Sequence, residues 1–461
     1  METEPTMCAE TAASSWWRSR AGWCLLGIVL IATGLAPAAE IVVEGGCTLP
    51  DAITAANNDA PAGGCPAGSG ADVIQLTGDV VLTSVDNNEV GDNGLPVVTT
   101  DITIVGGGST IERDAAAPAF RIFRAHFPGS LALTNVTVAN GLANGGGYGP
   151  AGGAVSIEQA PLTITDSTLS GNSASTGGAV YVSGGFGATL VNTTVSGNSA
   201  GLMGGGLAVI MGDISLVNST VSGNSAANWG GGMTTLYVSS ITLTNTTVTG
   251  NSAGNDAGGI YNGGVFATGF VYLSGSILAN NAGGNCGGYT FQIEDQGGNL
   301  ADDTSCPAVP ATLTGLDPVL ADNGGPTLTH ALLPASSAID NAGACGLPFD
   351  QRGFVRDAAC DSGSFEFGAV PPIPCADVDE FQARCNPAGT IQARVKMTDR
   401  SHSGETVTIG LDGTPNERKI FGSVASFQQP AAGIGPHTVS LDDPPGCVAP
   451  VVVNCPVTPD R

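Results

Sequence analysis

Six side chains near the end of the chain are the densest chemical constellation it offers: His330, Asp340, Asp350, Arg352, Asp361 and Glu366. An imidazole, four carboxylates and a guanidinium are groups that acid–base catalysis uses. They also suit a structural role. Asp350 would pair with Arg352 or Arg356, and the carboxylates would close the last turns of a repeat array, whose open end needs a cap. The cap is the expectation. Two further acid pairs, Glu294-Asp295 and Asp302-Asp303, present oxygens that calcium could take. The expectation there is a solvated acidic loop held by a Cys286–Cys306 disulfide. Elsewhere the middle of the chain holds only Glu158, Asp166, Asp213 and Asp256. Sugar hydrolysis needs two carboxylates about 5–9.5 Å apart, so the distance between Asp213 and Asp256 is a direct test. No Lys or Arg occurs from Ala125 to Gln351, which removes the base a polysaccharide lyase would need along that stretch. There is no GxSxG, HExxH, P-loop or zinc-type CxxC motif.

These residues must be positioned by a repeat. Between Ser167 and Ala253 the chain reads STLSGNSA, TTVSGNSA, STVSGNSA and TTVTGNSA, with Gly171, Gly197, Gly223 and Gly250 spaced by 26, 26 and 27 residues. A fixed period of this size marks a solenoid. Ile164, Leu190, Leu216 and Leu243 share one apolar column, extended by Leu133 and Leu273. A second holds Leu169, Val195, Val221 and Val248, flanked by Val138 and Leu278. A third holds Val180, Leu207, Met233 and Ile260, with Val155 before them. Each segment alternates apolar and polar residues and is rich in Thr and Val, as short strands are. About three strands and three turns fit one period. The expected fold is an all-β, right-handed parallel β-helix, a pectate-lyase-like solenoid, with coils stacked about 4.8 Å apart.

An Asn repeated at one turn of every coil can bond the Asn above and below, because its amide both donates and accepts. Two ladders are expected. One is Asn135, Asp166, Asn192, Asn218 and Asn245; the other is Asn172, Asn198, Asn224, Asn251 and Asn281. The Gly before each Asn of the second supplies a turn with positive φ. The sequons at Asn135, Asn192, Asn218 and Asn245 also permit glycosylation, but the ladder accounts for their regular spacing.

The composition narrows the function. The chain has 461 residues, a formal charge of -26 and only 12% charged residues. Such a surface repels nucleic acid and anionic membranes. At the start, Arg18 and Arg20 precede the apolar run WCLLGIVLIATGLA, which ends in Ala36-Pro37-Ala38. This reads as an export signal over residues 1–38. Cys8 and Cys24 fall inside it. The remaining ten cysteines, an even number, favour disulfides in an exported chain: Cys47–Cys65, Cys286–Cys306 and Cys345–Cys360, with Cys375, Cys385, Cys447 and Cys455 paired among themselves. No second apolar stretch is long enough to span a membrane.

Two segments carry a family resemblance. CTLPDAITAANN, from Cys47, is similar to the CSLREA segment that opens many secreted bacterial β-helix proteins, with Pro50-Asp51 in place of Arg-Glu. DNGGPTLTHALLPASSAIDNAG and DQRGFVRDAACDSGSFEFG, within residues 322–368, resemble the choice-of-anchor Q domain. That resemblance implies a secreted or surface β-helix without an assigned biochemistry. After the linker GAVPPIPC the composition shifts and both lysines, Lys396 and Lys419, appear. TIQARVKMTD, ETVTIGLDG and PHTVSLDDP read as short strands of a small β-sandwich. The expected organisation is a β-helix domain over 39–369 and an immunoglobulin-like accessory module over 370–461. The expected role is an exported, non-catalytic protein, an adhesin or envelope component binding glycans or cell-surface ligands, outside the cell, on its surface or in the periplasm. The alternative is a polysaccharide hydrolase or lyase. No cofactor is implied beyond the candidate calcium. Tyr148, Tyr181, Phe186, Trp229, Tyr237, Tyr261 and Tyr272 are the aromatics on which sugars could stack.

Overall fold

The computed structural model describes residues 38–455 apart from 144–150, 264–268, 290–291, 345, 372, 374, 387–388, 404, 431–434, 444–447 and 449. Successive coils build three long parallel sheets and one short one. Sheet one has ten strands, in chain order from Glu40–Val43 to Ile293–Asp295. Sheet two has nine, from Val80–Leu82 to Leu300–Ala301. Sheet three has seven, from Phe123–His126 to Cys286–Gly288. A four-stranded sheet, from Ser173–Thr176 to Ser252–Ala253, bridges sheets two and three. The neighbour of each strand is the equivalent strand one coil away, so the repeat period becomes the strand register.

The three apolar columns stack as the period requires. Ile164 pairs with Leu133 and Leu190, Leu190 with Leu216, Leu216 with Leu243 and Leu243 with Leu273. Val195 lies between Leu169 and Val221, and Leu207 between Val180 and Met233. All of these are buried, and they merge into one continuous core. The driving force is the removal of branched aliphatic surface from water, at about 25 cal/mol per Å².

Between sheet two and the bridging sheet, Gly171, Gly197, Gly223 and Gly250 hold φ near 64°, where a Cβ is disfavoured. The next residue turns inward. Asn172, Asn198, Asn224, Asn251 and Asn281 form a continuous buried ladder: each side-chain amide donates to the Oδ1 of the next at 2.9–3.0 Å. The same Oδ1 accepts the backbone N–H of the residue below, and the second amide hydrogen reaches a carbonyl across the coil. The ladder ends on Asn285, which in turn donates to Asp302.

The other Asn column differs from expectation. Asn135, Asp166, Asn192, Asn218 and Asn245 all sit at positive φ, between 46° and 51°, a conformation Asn and Asp tolerate better than other residues with a side chain. Only Asn192 and Asp166 are linked to each other, at 2.9 Å. The residues that follow link alternate pairs of coils instead. The hydroxyls of Ser167, Ser219 and Ser276 accept the N–H of Val136, Thr193 and Thr246, at 3.1 Å each.

The N-terminal end is closed by Leu49–Asn58, the only α-helix among the described residues. Thr48 caps it, accepting the N–H of Asp51, and Pro50 sits in the first turn, where the missing N–H costs nothing. Leu49, Ala52, Ile53, Ala55 and Ala56 bury its inner face, and the Cys47–Cys65 disulfide ties it down. The CSLREA-like segment is thus this end's plug, a helix that strand periodicity did not foretell. At the other end Cys286 is bonded to Cys306. Cys360 is also disulfide-bonded, while Cys345 lies outside the described residues.

Between residues 302 and 371 the described chain forms almost no sheet: the two-residue pairing of Gly343–Ala344 with Ala359–Cys360 and three isolated bridges. Its first residues cover the last coil, with Cys306 and Val309 joining the main core, but the part that holds the candidate residues does not close the end. It runs back along the outside of sheet two. Residues 373–455 then form two antiparallel sheets, of three and four strands, over a separate core that includes Ile391, Val395, Val407, Ile409, Phe427 and Val439. Cys385 is bonded to Cys455. Cys447 lies outside the described residues, as does the side chain of Cys375.

Candidate functional site

The six residues singled out from the sequence are split by the fold. His330 stands apart, buried against sheet two. Its Nδ1 donates to the Asp317 carbonyl and its Nε2 accepts the Ser222 hydroxyl, both at 2.8 Å. Asp350, Arg352, Asp361 and Glu366 form a buried lock, and Asp340 joins it only through its backbone, its side chain being exposed. Asp350 accepts from Nε and Nη2 of Arg352 at 2.9 and 2.6 Å, and the guanidinium lies between the rings of Phe354 and Phe365. Glu366 accepts Nη1 of Arg356 at 2.8 Å. Asp361 accepts the N–H groups of Asp340 and Phe367.

This lock bolts the returning segment to the coils. Arg356 donates to the Asn218 side-chain oxygen at 3.1 Å. Asn218 donates to the Phe349 carbonyl, and Asn245 to the Asp361 carbonyl. Gln351, fully buried, accepts from Thr220 and donates to Thr194 and Thr327. Gly363 lies so close to sheet two that a Cβ there would stand 2.7 Å from the Thr247 hydroxyl. Asn218 and Asn245 are buried with their amides engaged, so a glycan on either would unseat the segment. The side chains of Asp350, Arg352, Asp361 and Glu366 are buried against these partners and do not open onto a substrate.

Burial holds the His330 imidazole below its usual range, against the raising effect of the Asp317 carbonyl. Burial, as the largest cause, raises Asp361 and Glu366. The signs oppose. The detached segment exposes His330 at an ordinary pKa of about 6.5, so below that pH detachment takes up a proton. Attachment is complete above about pH 6.5 and weakens as pH falls toward the folded value. For Asp361 and Glu366 attachment strengthens as pH falls through the window just above about pH 4. We expect melting temperature to drop between pH 7.5 and 5.5 in the natural chain and to drop less in His330→Asn; equal slopes in the two would contradict this assignment.

The acid pairs do not converge on a metal. Asp302 accepts from Asn280 N–H and the Asn285 amide, and Asp303 from the N–H groups of Asn285 and Ser305. Asp295 accepts from Gly297 N–H and the Asn299 amide, and Glu294 is exposed. Among the described residues no three His, Cys, Asp or Glu side chains form a metal-binding group. Asp213 and Asp256 also fail the hydrolase test. In the strand register Asp213 pairs with Ser240 and Asp256 with Trp229. These columns flank opposite ends of sheet three, whose four-residue strands alone span about 13 Å.

A different cluster, which the sequence reading passed over, lies at the start of sheet three. Arg124, on strand Phe123–His126, donates to Glu158 at 2.8 Å and to Glu89 at 3.5 Å. His126 Nε2 lies 3.3 Å from the same Glu89 oxygen. Glu158 is one coil on, opposite His126 in the register. Both carboxylates are about half exposed, at 48% and 53%, whereas the Arg124 side chain is 5% exposed. Beneath lies Arg121, 1% exposed, its Nη2 donating to the Val90 carbonyl and its Nε and Nη1 unpartnered. Burial, then the neighbouring Arg124, pull its pKa down to about 10. Arg124 immediately precedes the Lys- and Arg-free stretch, so a search for a base that began at Ala125 missed it. Glu158 read as an isolated turn acid because its partners are set by the coil register.

Aromatic rings mark the same sheet. Phe127 and Phe186, 62% and 47% exposed, stack with centroids 6.5 Å apart at the corner after the early strands. At the opposite corner, on later coils, Trp229 stacks on Tyr261 at 5.9 Å. Tyr181 stands between, in the same register column as Arg124 and Tyr261; Ser156, Ala208 and Thr234 of that column are buried, and the two tyrosines are partly exposed. Tyr289 is exposed beyond them. Burial, then Asp256, then Tyr289 raise the Tyr261 hydroxyl. Tyr272 lies on sheet one against Phe270, Tyr237 is exposed at a corner after sheet three, and Tyr148 lies outside the described residues.

The chain matches no protein-family model. It matches no curated protein either. Among solved structures it is similar to the crystal structure of pectate lyase Pel9A, with 12% identity and a TM-score of 0.36 over 64% of this chain and 88% of that one.

Proposed function

We propose that the protein is an exported β-helix protein that holds an extended glycan across sheet three without cleaving it. Its two terminal segments support placing it with secreted proteins of the choice-of-anchor Q type, and its disulfides at Cys47–Cys65, Cys286–Cys306 and Cys385–Cys455 suit an oxidising destination. The observation that carries the reading is the pair of ring stacks, Phe127–Phe186 and Trp229–Tyr261, at diagonal corners of one sheet with Tyr181 between them. The strands bearing Arg124 and Tyr261 are five coils apart, or about 24 Å, which suits a polymer better than a small molecule. Aromatic faces give large apolar contact at low entropic cost, and their polar tips remain available to hydroxyls.

A second reading is cleavage at the Arg124 cluster. Two half-exposed carboxylates on one buried guanidinium, beside an imidazole, are the groups an acid–base site requires. One experiment separates the readings. Neutral and acidic polysaccharides are offered to the exported chain, and retention is recorded together with new reducing ends and unsaturated products. Trp229→Ala is expected to weaken retention by about tenfold with no product formed at any stage. Product formation that Glu158→Gln abolishes would replace the binding reading with the catalytic one.

A further inference from the structure

The C-terminal module carries a second, separate surface. Seven of the chain's 14 Lys and Arg residues fall after residue 370, so this short module is where cations concentrate in an otherwise acidic protein. The triplet Gln-Ala-Arg occurs twice, at 382–384 and 392–394. The strands Val378–Cys385 and Ile391–Met397 pair antiparallel, so that Gln382 lies opposite Arg394 and Arg384 opposite Gln392. The neighbouring strand Val424–Gln429 sets Ser426 beside Arg394 and Gln428 beside Gln392. The alanines between point into the core or toward it, and the six polar side chains share the outer face. A groove of about 710 Å³ is lined by these same six residues together with Phe381, Phe427, Val451 and the two alanines.

We propose that this face binds the carboxylate groups of an acidic polysaccharide. Arg384 and Arg394 are diagonal neighbours, about 7–8 Å apart at the backbone. Arg384 donates to Gln392 at 3.1 Å, and among the described residues neither arginine has an ion pair, whereas Lys396 in the next row pairs with Asp379. Glu380, the acid nearest on the face, accepts from Gln382. Two adjacent guanidiniums outside any ion pair repel, and each presents a planar fork that matches a carboxylate. Gln382, Gln392, Gln428 and Ser426 supply the donors and acceptors that sugar hydroxyls need.

The test uses the whole exported chain in affinity electrophoresis with polygalacturonate, a neutral glucan and duplex DNA. Arg384→Gln/Arg394→Gln is expected to weaken retention by polygalacturonate by about tenfold or more, leaving melting temperature and retention by the neutral glucan unchanged. Arg400→Gln/Lys419→Gln, which removes the same net charge elsewhere in the module, is expected to change it by less than about twofold. Equal loss in the two double variants, no loss in the first, or equal retention by DNA would each overturn the proposal. Trp229→Ala reports on sheet three in the same assay, so failure of one surface is distinguishable from failure of the other.

Discussion

Replacing Asn224 with alanine will cost the β-helix about 4 kcal/mol of stability. Its amide donates to Asn251 Oδ1 and to the Val195 carbonyl, and its oxygen accepts both the backbone and the side-chain N–H of Asn198, all at 2.9–3.0 Å. The residue is fully buried. Alanine strands the backbone and side-chain N–H groups of Asn198 in a dry site and takes one donor each from Asn251 Oδ1, which keeps the backbone N–H of residue 224, and from the Val195 carbonyl; each orphaned group costs about 1–3 kcal/mol, less whatever an entering water restores. Denaturant unfolding measures the loss. The control is Asn255→Ala, which removes an exposed Asn–Asn bond at the same sheet's edge and should cost less than about 0.5 kcal/mol. A loss at Asn224 no larger than that of the control would mean the ladder is not the buried network described.

Arg356→Met will release the segment that covers sheet two. Arg356 and Glu366 are both almost wholly buried. Burial lowers the arginine's pKa and raises the glutamate's, although each partner opposes the shift of the other. Removing the arginine strands a buried carboxylate, which costs about 3–5 kcal/mol, and also removes the bonds to Asn218 and the Gly363 carbonyl. The expected result is protease cleavage within residues 322–368 while the far-ultraviolet signal of the coils persists. Arg356→Met/Glu366→Leu should recover part of the loss, because no uncompensated charge remains. If the single variant resists protease as the natural chain does, the ion pair is not what fastens the segment.

Both predictions turn on contacts of different range. Asn198, Asn224 and Asn251 are 26 and 27 residues apart, the repeat itself. Any residue that recurs with the period must lie above its counterpart, so the three apolar columns and the Asn ladder were legible in the chain. The first Asn column was misread because an Asn that recurs at a turn has two physical uses. It can stack on its copies, or it can accept positive φ, and the spacing is the same for either. The returning segment was misplaced for another reason. Thr220 meets Gln351 across 131 residues and Arg356 meets Asn218 across 138, and nothing periodic specifies such a contact. An apolar run long enough to close a solenoid's end can as well lie on its side.

The same distinction holds for the candidate sites. Composition and spacing by themselves determined a parallel solenoid of this period, its core, its buried Asn ladder, its cysteine couples at 47–65 and 286–306, and a separate strand-rich module. These follow from local patterning repeated at a constant interval, where burial and hydrogen bonding favour one register. Only the tertiary structure decided that Glu89, thirty-five residues before Arg124, shares a guanidinium with Glu158. It also decided that Phe127 and Phe186 stack, and that Asp350, Arg352, Asp361 and Glu366 are buried rather than open to a ligand. Charged and aromatic side chains on a solenoid's outer face occur once each and not in every coil. Their partners depend on which loop folds over which strand, and that is settled by packing in three dimensions.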